Sequence, residues 1–331
     1  MNITSSTLLQ NDLLIVLPFR NEKENILKTI ECLKNQRLKD TDRIVLIDDH
    51  SSDNISIDSN LPKIFKVIQL SENDGFGKKK AILEGINSGK EELILTTDAD
   101  CTFSENWSEK MRLAINRENQ LVIGPLLNEK SFNFITSLQE IESIVLLHIA
   151  KLSVHFKSPI ICWGANLLFT RKAFDAVNGY ESHIKKSSGD DVLLMNSIIQ
   201  KFPNSIVFNH DFEALVTTKS ETNWKLYFKQ RIRWASKSAH LRSLRGFLLT
   251  STLLALLFLP YVILMKLWFV AFLIPFVEYY FLLKMAHFYR RNFYIGEWFF
   301  FRLAYPTLVF TIVALSILPI KIKWKGREIN Y

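Results

Sequence analysis

The chain has 331 residues, a length typical of about two domains, and a formal net charge of +8. Its globular part contains no compact Lys/Arg tract with interleaved aromatic residues, which argues against nucleic-acid binding. Three scattered cysteines, Cys32, Cys101 and Cys162, exclude a disulfide framework and indicate a reducing compartment.

Short apolar runs alternate with helix-like patterns over the first hundred residues. Pro, Gly or acidic residues follow each run, which therefore predicts a buried strand. The predicted strands are residues 13–17 (stopped by Pro18), 43–47, 64–70 and 92–97, and the predicted helices are residues 21–38 and 78–88. This alternation predicts an α/β fold with a mostly parallel, Rossmann-like sheet, whose ligands bind at the carboxyl ends of the strands.

Acidic residues follow two of the predicted strands. Asp48 and Asp49 come after the second strand, and Asp98 and Asp100 come after the fourth. In an extended segment residues i and i+2 point the same way, so Asp98 and Asp100 can face one site. Such a pair can hold Mg²⁺ or Mn²⁺, which neutralises a leaving diphosphate. Most isolated Asp-x-Asp sequences are solvated turns, and only the position after a buried strand favours the metal site.

A further carboxylate pair, Asp190-Asp191, precedes the apolar run 192–199. Attack by a hydroxyl group on an anomeric carbon requires a general base, which either carboxylate can supply. The same pair is typical of a helix N-cap and first turn. Both interpretations are compatible, and the sequence leaves open which of the two is the base, with Asp191 favoured.

Seven short motifs occur in order between residues 18 and 234. They are Pro18-Phe19-Arg20-Asn21-Glu22, Asp48-Asp49-His50-Ser51-Ser52-Asp53, Gly77-Lys78-Lys79-Lys80-Ala81, Asp98-Ala99-Asp100, Gly164-Ala165-Asn166, Asp190-Asp191 and Gln230-Arg231-Ile232-Arg233-Trp234. Together they resemble the family-2 glycosyltransferases, over residues 13 to about 240. Asp190 departs from the Glu that is usual there, and the last motif matches the Q-x-x-R-W of one group in full. The resemblance implies a GT-A fold.

The resemblance also implies a role for each matched residue. The residues that would bind the nucleotide-sugar donor are Pro18, Glu22, Asp48, Asp49, Lys78 and Asp98. Asp100, with Asp98, would hold Mg²⁺ or Mn²⁺, and Asp191 would be the base of an inverting displacement. The residues that would contact the acceptor or the pyrophosphate are Gly164, Asn166, Gln230, Arg233 and Trp234. The donor would be a UDP-sugar.

The sequence changes character before residue 245. Seven Lys/Arg and no Asp/Glu lie between Lys225 and Arg245, as in a juxtamembrane segment. Apolar residues at helical spacing among these charges predict an amphipathic helix at a membrane surface, with a core-packing helix as the alternative. Its apolar positions are Trp224, Phe228, Ile232, Ala235 and Ala239.

Three apolar stretches follow, at residues 247–265, 267–283 and 303–320. The first is long enough to span a bilayer, and the set predicts an α-helical membrane domain with two to three segments. The predicted location is therefore multi-pass in a membrane, with the catalytic domain in the cytoplasm. After three spans the basic tail would lie outside, against the positive-inside rule, so either one stretch is re-entrant or interfacial or the rule fails.

These patterns divide the chain into three parts. Residues 1–223 form the predicted GT-A nucleotide-sugar transferase domain, residues 224–245 the interfacial helix, and residues 246–331 the membrane domain. The expected partners are the nucleotide-sugar, a lipid or saccharide acceptor and the bilayer, and a homo-oligomer or a membrane partner is left open.

The acceptor is less constrained than the donor. Q-x-x-R-W is shared by enzymes that resemble processive polysaccharide synthases and by enzymes that glycosylate lipids. Because a processive synthase needs a channel, usually of more than three spans, we expect a lipid or lipid-linked acceptor, with the synthase as the alternative. A membrane-anchored dinucleotide-dependent oxidoreductase would require G-x-G-x-x-G after the first strand, where residues 18–22 contain no glycine. A non-catalytic scaffold would be expected to lack the metal and base carboxylates.

Overall fold

The computed structural model of the chain describes residues 11–57, 60–71, 77–130, 133–180, 190–237, 268–317, 322–324 and 327–329. Two compact units divide the chain. The sheet unit runs to Asn128 and then comprises Leu146–Lys219, whereas the helical unit comprises Glu129–Val145 and the chain from Ser220 onward. The predicted apolar stretch 247–265 lies outside the described residues.

Short strands form the framework of the sheet unit. They are β1 (Leu13–Phe19), β2 (Arg43–Asp48), β3 (Phe65–Gln69), β4 (Leu93–Thr96), β5 (Cys101–Phe103), β6 (Leu121–Ile123), β7 (Leu126–Asn128), β8 (Leu167–Thr170), β9 (Ile206–Phe208) and β10 (Val216–Thr218). A seven-stranded sheet has the order β3-β2-β1-β4-β8-β6-β9, and a three-stranded sheet has the order β5-β10-β7. In the larger sheet β8 is antiparallel to both neighbours and every other pair is parallel. The predicted mostly parallel α/β sheet is confirmed.

The first strand continues through Pro18, where the sequence predicted it to stop. Pro18 pairs in parallel register with Ile47. The carbonyl of Val16 accepts a hydrogen bond from Thr97 on the β4 side, and positions two apart along a strand face the same side. The N–H that Pro18 lacks would therefore point past the end of β4, where pairing with β1 has already stopped. Pro18 is tolerated for this reason.

Helices cover the sheet of this unit. They are α1 (Ile26–Lys34), α2 (Lys78–Asn87), α3 (Trp107–Ala114), α4 (Phe134–His155, which contributes to both units), α5 (Arg171–Ala176) and α6 (Asp190–Lys201). The predicted helix 21–38 is confined to α1, because residues 20–25 form the loop after β1. A Cβ atom added to Gly85 of α2 would lie 2.7 Å from Ile47 and 2.8 Å from Val16, so glycine permits close packing on the sheet.

The helical unit contains the start of α4 together with α7 (Trp224–Lys237), α8 (Trp268–Phe288), α9 (Ile295–Ile317) and a hairpin of β11 (Ile322–Trp324) and β12 (Arg327–Ile329). Its apolar core joins Ile135 and Leu138 of α4, Tyr227 and Ile232 of α7, and Ile312 of α9. Residues 224–237 of the predicted amphipathic helix are helical, and Tyr227 and Ile232 pack in this core, as the core-packing alternative predicts; residues 238–245 lie outside the described residues.

One described helix is long and apolar enough to cross a membrane. This segment, Ile295–Ser316 of α9, overlaps the predicted stretch 303–320, and only 17% of its most apolar 18-residue window is buried. Residues 268–283 of the predicted stretch 267–283 lie in α8, which does not pass the same test. The described residues therefore give weak evidence for one membrane helix and do not support a multi-pass arrangement.

Candidate active site

The loops that follow β1 and β2 are joined by hydrogen bonds. The Nη1 atom of Arg20 donates to the carbonyl oxygens of Asp49, at 2.6 Å, and His50, at 2.8 Å. The amide of Asn21 donates to Ser51 Oγ at 3.0 Å, and Asn21 has a left-handed φ of 52°. The motifs after these two strands, separate in sequence, thus form one surface at the carboxyl edge of the sheet. Arg20 was not among the predicted site residues, although it lies within the first motif.

The predicted donor-binding residues of this edge are largely shielded. Glu22 is 8% exposed, and its carboxylate accepts a hydrogen bond from Asn25 Nδ2 at 2.7 Å. Asp48 Oδ1 accepts from the amide of Ser51 at 2.8 Å, which shapes the turn. Asp49, 5% exposed, accepts from the amide of Gly77 at 3.1 Å and so connects the edge to the start of α2.

Four predicted site residues from different parts of the chain lie together at this edge. Lys78 Nζ, at the start of α2, donates to Asp98 Oδ1, after β4, at 2.5 Å. The amide of Gly164, in the 3₁₀ turn before β8, donates to Asp191 Oδ2 at 2.9 Å. A Cβ atom on Gly164 would lie 3.8 Å from both Lys78 Nζ and Asp191 Oδ2. The Lys78 ammonium group and the Asp191 carboxylate therefore lie beside the Gly164 backbone, and Lys78 connects them to the Asp98 carboxylate.

Two backbone amides orient the Asp191 carboxylate. Its Oδ2 accepts from Gly164, and its Oδ1 accepts from the amide of Val192 at 2.9 Å. Asp191 also lies in the first turn of α6, where the helix dipole favours a negative charge. Asp190 begins the same helix, and its side chain lies outside the described residues.

The residues around Asp98 and Asp100 fit a divalent cation that is shared with a substrate. Over the described part of the chain, no three His, Cys, Asp or Glu side chains gather as a complete metal site. Mg²⁺ and Mn²⁺ do not require one, because one or two carboxylates and the phosphates of a substrate suffice. Asp98 already accepts a cationic partner, Lys78. Burial, together with Asp100 and Asp98, holds the pKa of the Cys101 thiol well above its usual range, which leaves oxygen atoms as the available ligands.

Asn166 connects segments of the sheet unit through its side chain. It is fully buried, its Nδ2 donates to the carbonyls of Pro125 at 2.7 Å and Ala214 at 2.9 Å, and its Oδ1 accepts from Trp107 Nε1 at 2.9 Å. A Cβ atom on Gly124 would lie 2.3 Å from this amide group. The Asn166 side chain therefore fixes three segments of the sheet unit, which is a framework role.

The Q-x-x-R-W residues belong to the helical unit and lie on α7. Trp234 is 44% exposed, Arg233 is partly exposed, and Gln230 Nε2 donates to Glu221 Oε1 at 3.3 Å. Arg231, which the motif leaves unspecified, is 5% exposed and stacks 4.3 Å from the Trp234 ring.

A buried ion pair holds Arg231. Its Nε lies 3.1 and 3.0 Å from the two carboxylate oxygens of Glu142, and its Nη2 lies 2.5 Å from Glu142 Oε2. Tyr305 Oη also donates to Glu142, at 3.1 Å, and the Arg231 guanidinium lies 4.8 Å from the Tyr227 ring. No sequence signal predicted this pair, because its members are 89 positions apart.

Comparisons with known proteins bear on the family and the fold. The model of Glycosyl transferase family 2 matches residues 14–177. The mannosyltransferase PcManGT from Pyrobaculum calidifontis, solved with GDP-Man and Mn²⁺, is similar with a TM-score of 0.51 and 14% identity, over 70% of this chain and 67% of that one.

A second similar structure is glucosyl-3-phosphoglycerate synthase from Mycobacterium tuberculosis, solved with Mn²⁺, UDP and phosphoglyceric acid. Its TM-score is 0.45 with 13% identity, over 70% of this chain and 78% of that one. The model of the glycosyltransferase family 2 thus matches about half of the chain, residues 14–177, and the sheet topology together with the PcManGT structure shows a GT-A-like fold.

Proposed function

We propose that the protein is a membrane-bound, metal-dependent inverting glycosyltransferase that moves a hexose from a nucleotide-sugar to a lipid or lipid-linked acceptor. The observation that carries this proposal is the convergence of Lys78, Asp98, Gly164 and Asp191 at one edge of the sheet. This arrangement would place a cation, a carboxylate for the metal and an oriented base close together.

The proposed reaction is a single displacement. Asp191 accepts the proton of the acceptor hydroxyl. At the same time the hydroxyl oxygen forms a bond to the anomeric carbon, and the bond between that carbon and the diphosphate breaks. The nucleoside diphosphate leaves with the bonding electrons, and the configuration at the anomeric carbon inverts. Asp98 and Asp100 would hold Mg²⁺ or Mn²⁺, which neutralises the diphosphate. Lys78 would add a second positive charge near the same phosphates, and Asp49 and Glu22 would contact the nucleoside.

A lipid acceptor is supported by the helical unit. Its exposed helices α8 and α9 carry large apolar side chains, including Phe276, Tyr280 and Phe310, each at least 60% exposed. Exposed patches of this kind mark membrane or protein interaction sites. An acceptor that enters from a bilayer would meet this surface, and we propose Gln230, Arg233 and Trp234 as the residues that contact it or the pyrophosphate. No feature of the described residues favours a polymer channel.

The first experiment is a donor screen. The full-length protein in detergent would be incubated with UDP- and GDP-sugars, with Mn²⁺, Mg²⁺ or EDTA, and with a membrane lipid extract as the source of acceptor. We expect nucleotide release with one UDP-sugar, lost with EDTA and in D100A, and labelled sugar in the lipid fraction. GDP-mannose is included because a mannosyltransferase of similar fold was solved with GDP-Man.

The matched control is D175A, which removes an exposed carboxylate of α5 in the same unit. We expect D175A to release nucleotide at the parental rate. Long labelled polymer instead of labelled lipid would refute the lipid acceptor and establish the processive alternative. Absence of both nucleotide release and nucleotide binding for every donor would contradict the transferase proposal itself.

A further inference from the structure

Helix α9 is apolar on both of its faces. The inner face carries Trp298 and Ile312, each 8% exposed, and contributes Ile312 to the core shared with α4 and α7. The opposite face exposes Phe300 (47%), Leu303 (48%) and Phe310 (60%), which recur at helical spacing. A soluble core helix would not leave this second face open, so α9 packs on protein with one side and presents an apolar stripe with the other.

Charged groups lie beside the middle of α9. Tyr305, the eleventh of its 23 residues, donates to Glu142, which pairs with the buried Arg231. Arg302, near the middle as well, pairs with Glu278 of α8, whose side chain is 45% exposed. These ionisable side chains occur where a membrane-spanning helix would cross the centre of the bilayer.

Helix α7, which packs along α9, also carries charged side chains. Phe301, Leu308 and Leu315 of α9 pack against the same core as Phe228 and Ala235 of α7, so the contact extends over most of both helices. If α9 stood upright across a bilayer, α7 would enter the hydrocarbon with it.

Helix α7 carries Lys225, which is exposed, and Lys229 and Arg233, which are partly exposed. Exposed cations at the centre of a bilayer are strongly unfavourable. They are favourable at an anionic head-group surface. An upright α9 therefore conflicts with its own neighbour, whereas a horizontal α9 does not.

We propose that α9 lies in the plane of the membrane, inserted into one leaflet of an anionic phospholipid bilayer by the stripe of Phe300, Leu303 and Phe310, and does not cross it. This inference rests on the proposed membrane location and specifies its geometry. Helix α8 packs on the inner side of α9, since the rings of Tyr279 and Trp298 lie 5.2 Å apart, and it exposes Phe276 and Tyr280. The cations of α7 then meet lipid head groups, and Glu142 and Arg231 stay within protein.

The test measures depth along one face of α9. Nitroxide labels would be attached to L303C, T307C, F310C and A314C, all exposed positions, in a C32S background of the full-length protein. Cys101 and Cys162 can remain because both are buried. The protein would be placed in vesicles of phosphatidylcholine and phosphatidylglycerol, and depth would be read from relaxation by oxygen and by a nickel chelate. D175C, on the sheet unit, is the aqueous control.

We expect the four labels at one depth, about 5 to 10 Å below the phosphates. A spanning helix would give a gradient of about 16 Å between positions 303 and 314, at about 1.5 Å per residue, and would overturn the proposal. Labels that stay as water-exposed as D175C, or that couple magnetically between copies, would overturn it as well. The depth measurement needs no donor or acceptor, so a failed donor screen would leave it standing, and a gradient would leave the transferase proposal standing.

Discussion

The two units of this chain place polar and apolar groups in opposite ways. The sheet unit buries its apolar strands and leaves the Lys78 and Asp98 side chains 44% and 32% exposed at one edge. The helical unit buries Glu142 and Arg231 and exposes Phe276 and Phe310. Ionised side chains at the sheet edge remain open to a substrate, whereas those of the helical unit have partners inside the protein.

This contrast separates two uses of charge. A partly exposed carboxylate is available for chemistry, and its loss should affect the reaction more than the fold. A buried, bidentate pair is committed to protein, and loss of one member leaves the other without its partner. Substitutions in the two units should therefore change different observables.

The largest expected effect concerns the base. D191N keeps the side-chain shape but cannot accept a proton, so we expect kcat to fall by about 10² to 10⁴-fold. The free energy of unfolding should change by less than about 1 kcal/mol, since an amide oxygen can still accept one backbone hydrogen bond. Nucleotide release and thermal unfolding measure the two quantities. A larger loss of kcat in D190N than in D191N would transfer the role of base to Asp190.

The next effect concerns the buried pair. R231M should lower the free energy of unfolding by about 3 to 5 kcal/mol, because Glu142 would remain buried without its guanidinium partner. The double variant R231M/E142M should recover most of this loss. R231K keeps the positive charge but cannot form two parallel hydrogen bonds to Glu142, so its stability should lie between those of the parental protein and R231M. Denaturant unfolding in detergent measures all three. Equal stability of the single and double variants would show that the two residues are not coupled.

The smallest expected effect is a pH dependence. Glu140 is fully buried, forms no hydrogen bond through its carboxylate with the described residues, and lies 3.6 Å from Arg291 and 3.8 Å from Lys130. Burial raises its pKa from 4.5 to about 7, although both cations lower it. The folded state thus binds this proton more tightly than the unfolded state. The contribution of this proton to the free energy of unfolding is therefore fully present below about pH 4.5 and is lost as the pH rises through 7.

Substitution with a neutral isostere tests this dependence. E140Q should flatten the plot of the free energy of unfolding against pH between pH 5 and pH 8. In the parental protein this free energy should fall over that range by at most about 3 kcal/mol, since one pKa unit corresponds to about 1.4 kcal/mol. Thermal unfolding across this range is the measurement, and E105Q, at an exposed carboxylate of the sheet unit, is the control. A parental slope that persists in E140Q would assign the dependence to other groups.

The sequence predicted the sheet unit better than the helical unit, for physical reasons. Strands β1 to β4 are apolar runs with abrupt polar ends, and each lies within two residues of its predicted bounds. Strands β5 to β10 have only three or four residues, too few for a periodic pattern, so sequence alone did not indicate the antiparallel β8 or the smaller sheet. The motifs named Lys78, Asp98, Gly164 and Asp191 separately, but the sequence did not predict that the Gly164 backbone lies beside both Lys78 and Asp191.

The helical unit depends on contacts that periodicity does not encode. Apolar spacing predicted α7 and the apolar character of α8 and α9, because those patterns are local. It did not predict that residues 129–145 would join this unit or that Glu142 would meet Arg231, since both depend on segments remote in sequence. The structural role of Asn166 likewise depends on hydrogen bonds to three residues that are remote in sequence.

The separation of Glu142 from Arg231 also has a consequence for biosynthesis. The ribosome makes the acid first and its partner 89 residues later. At about 5 to 20 residues per second, the delay is roughly 4 to 18 s. During that time the start of α4 has neither its counter-ion nor the apolar surfaces of α7 and α9. The nascent chain must keep this segment hydrated or covered until translation reaches the helices that complete it.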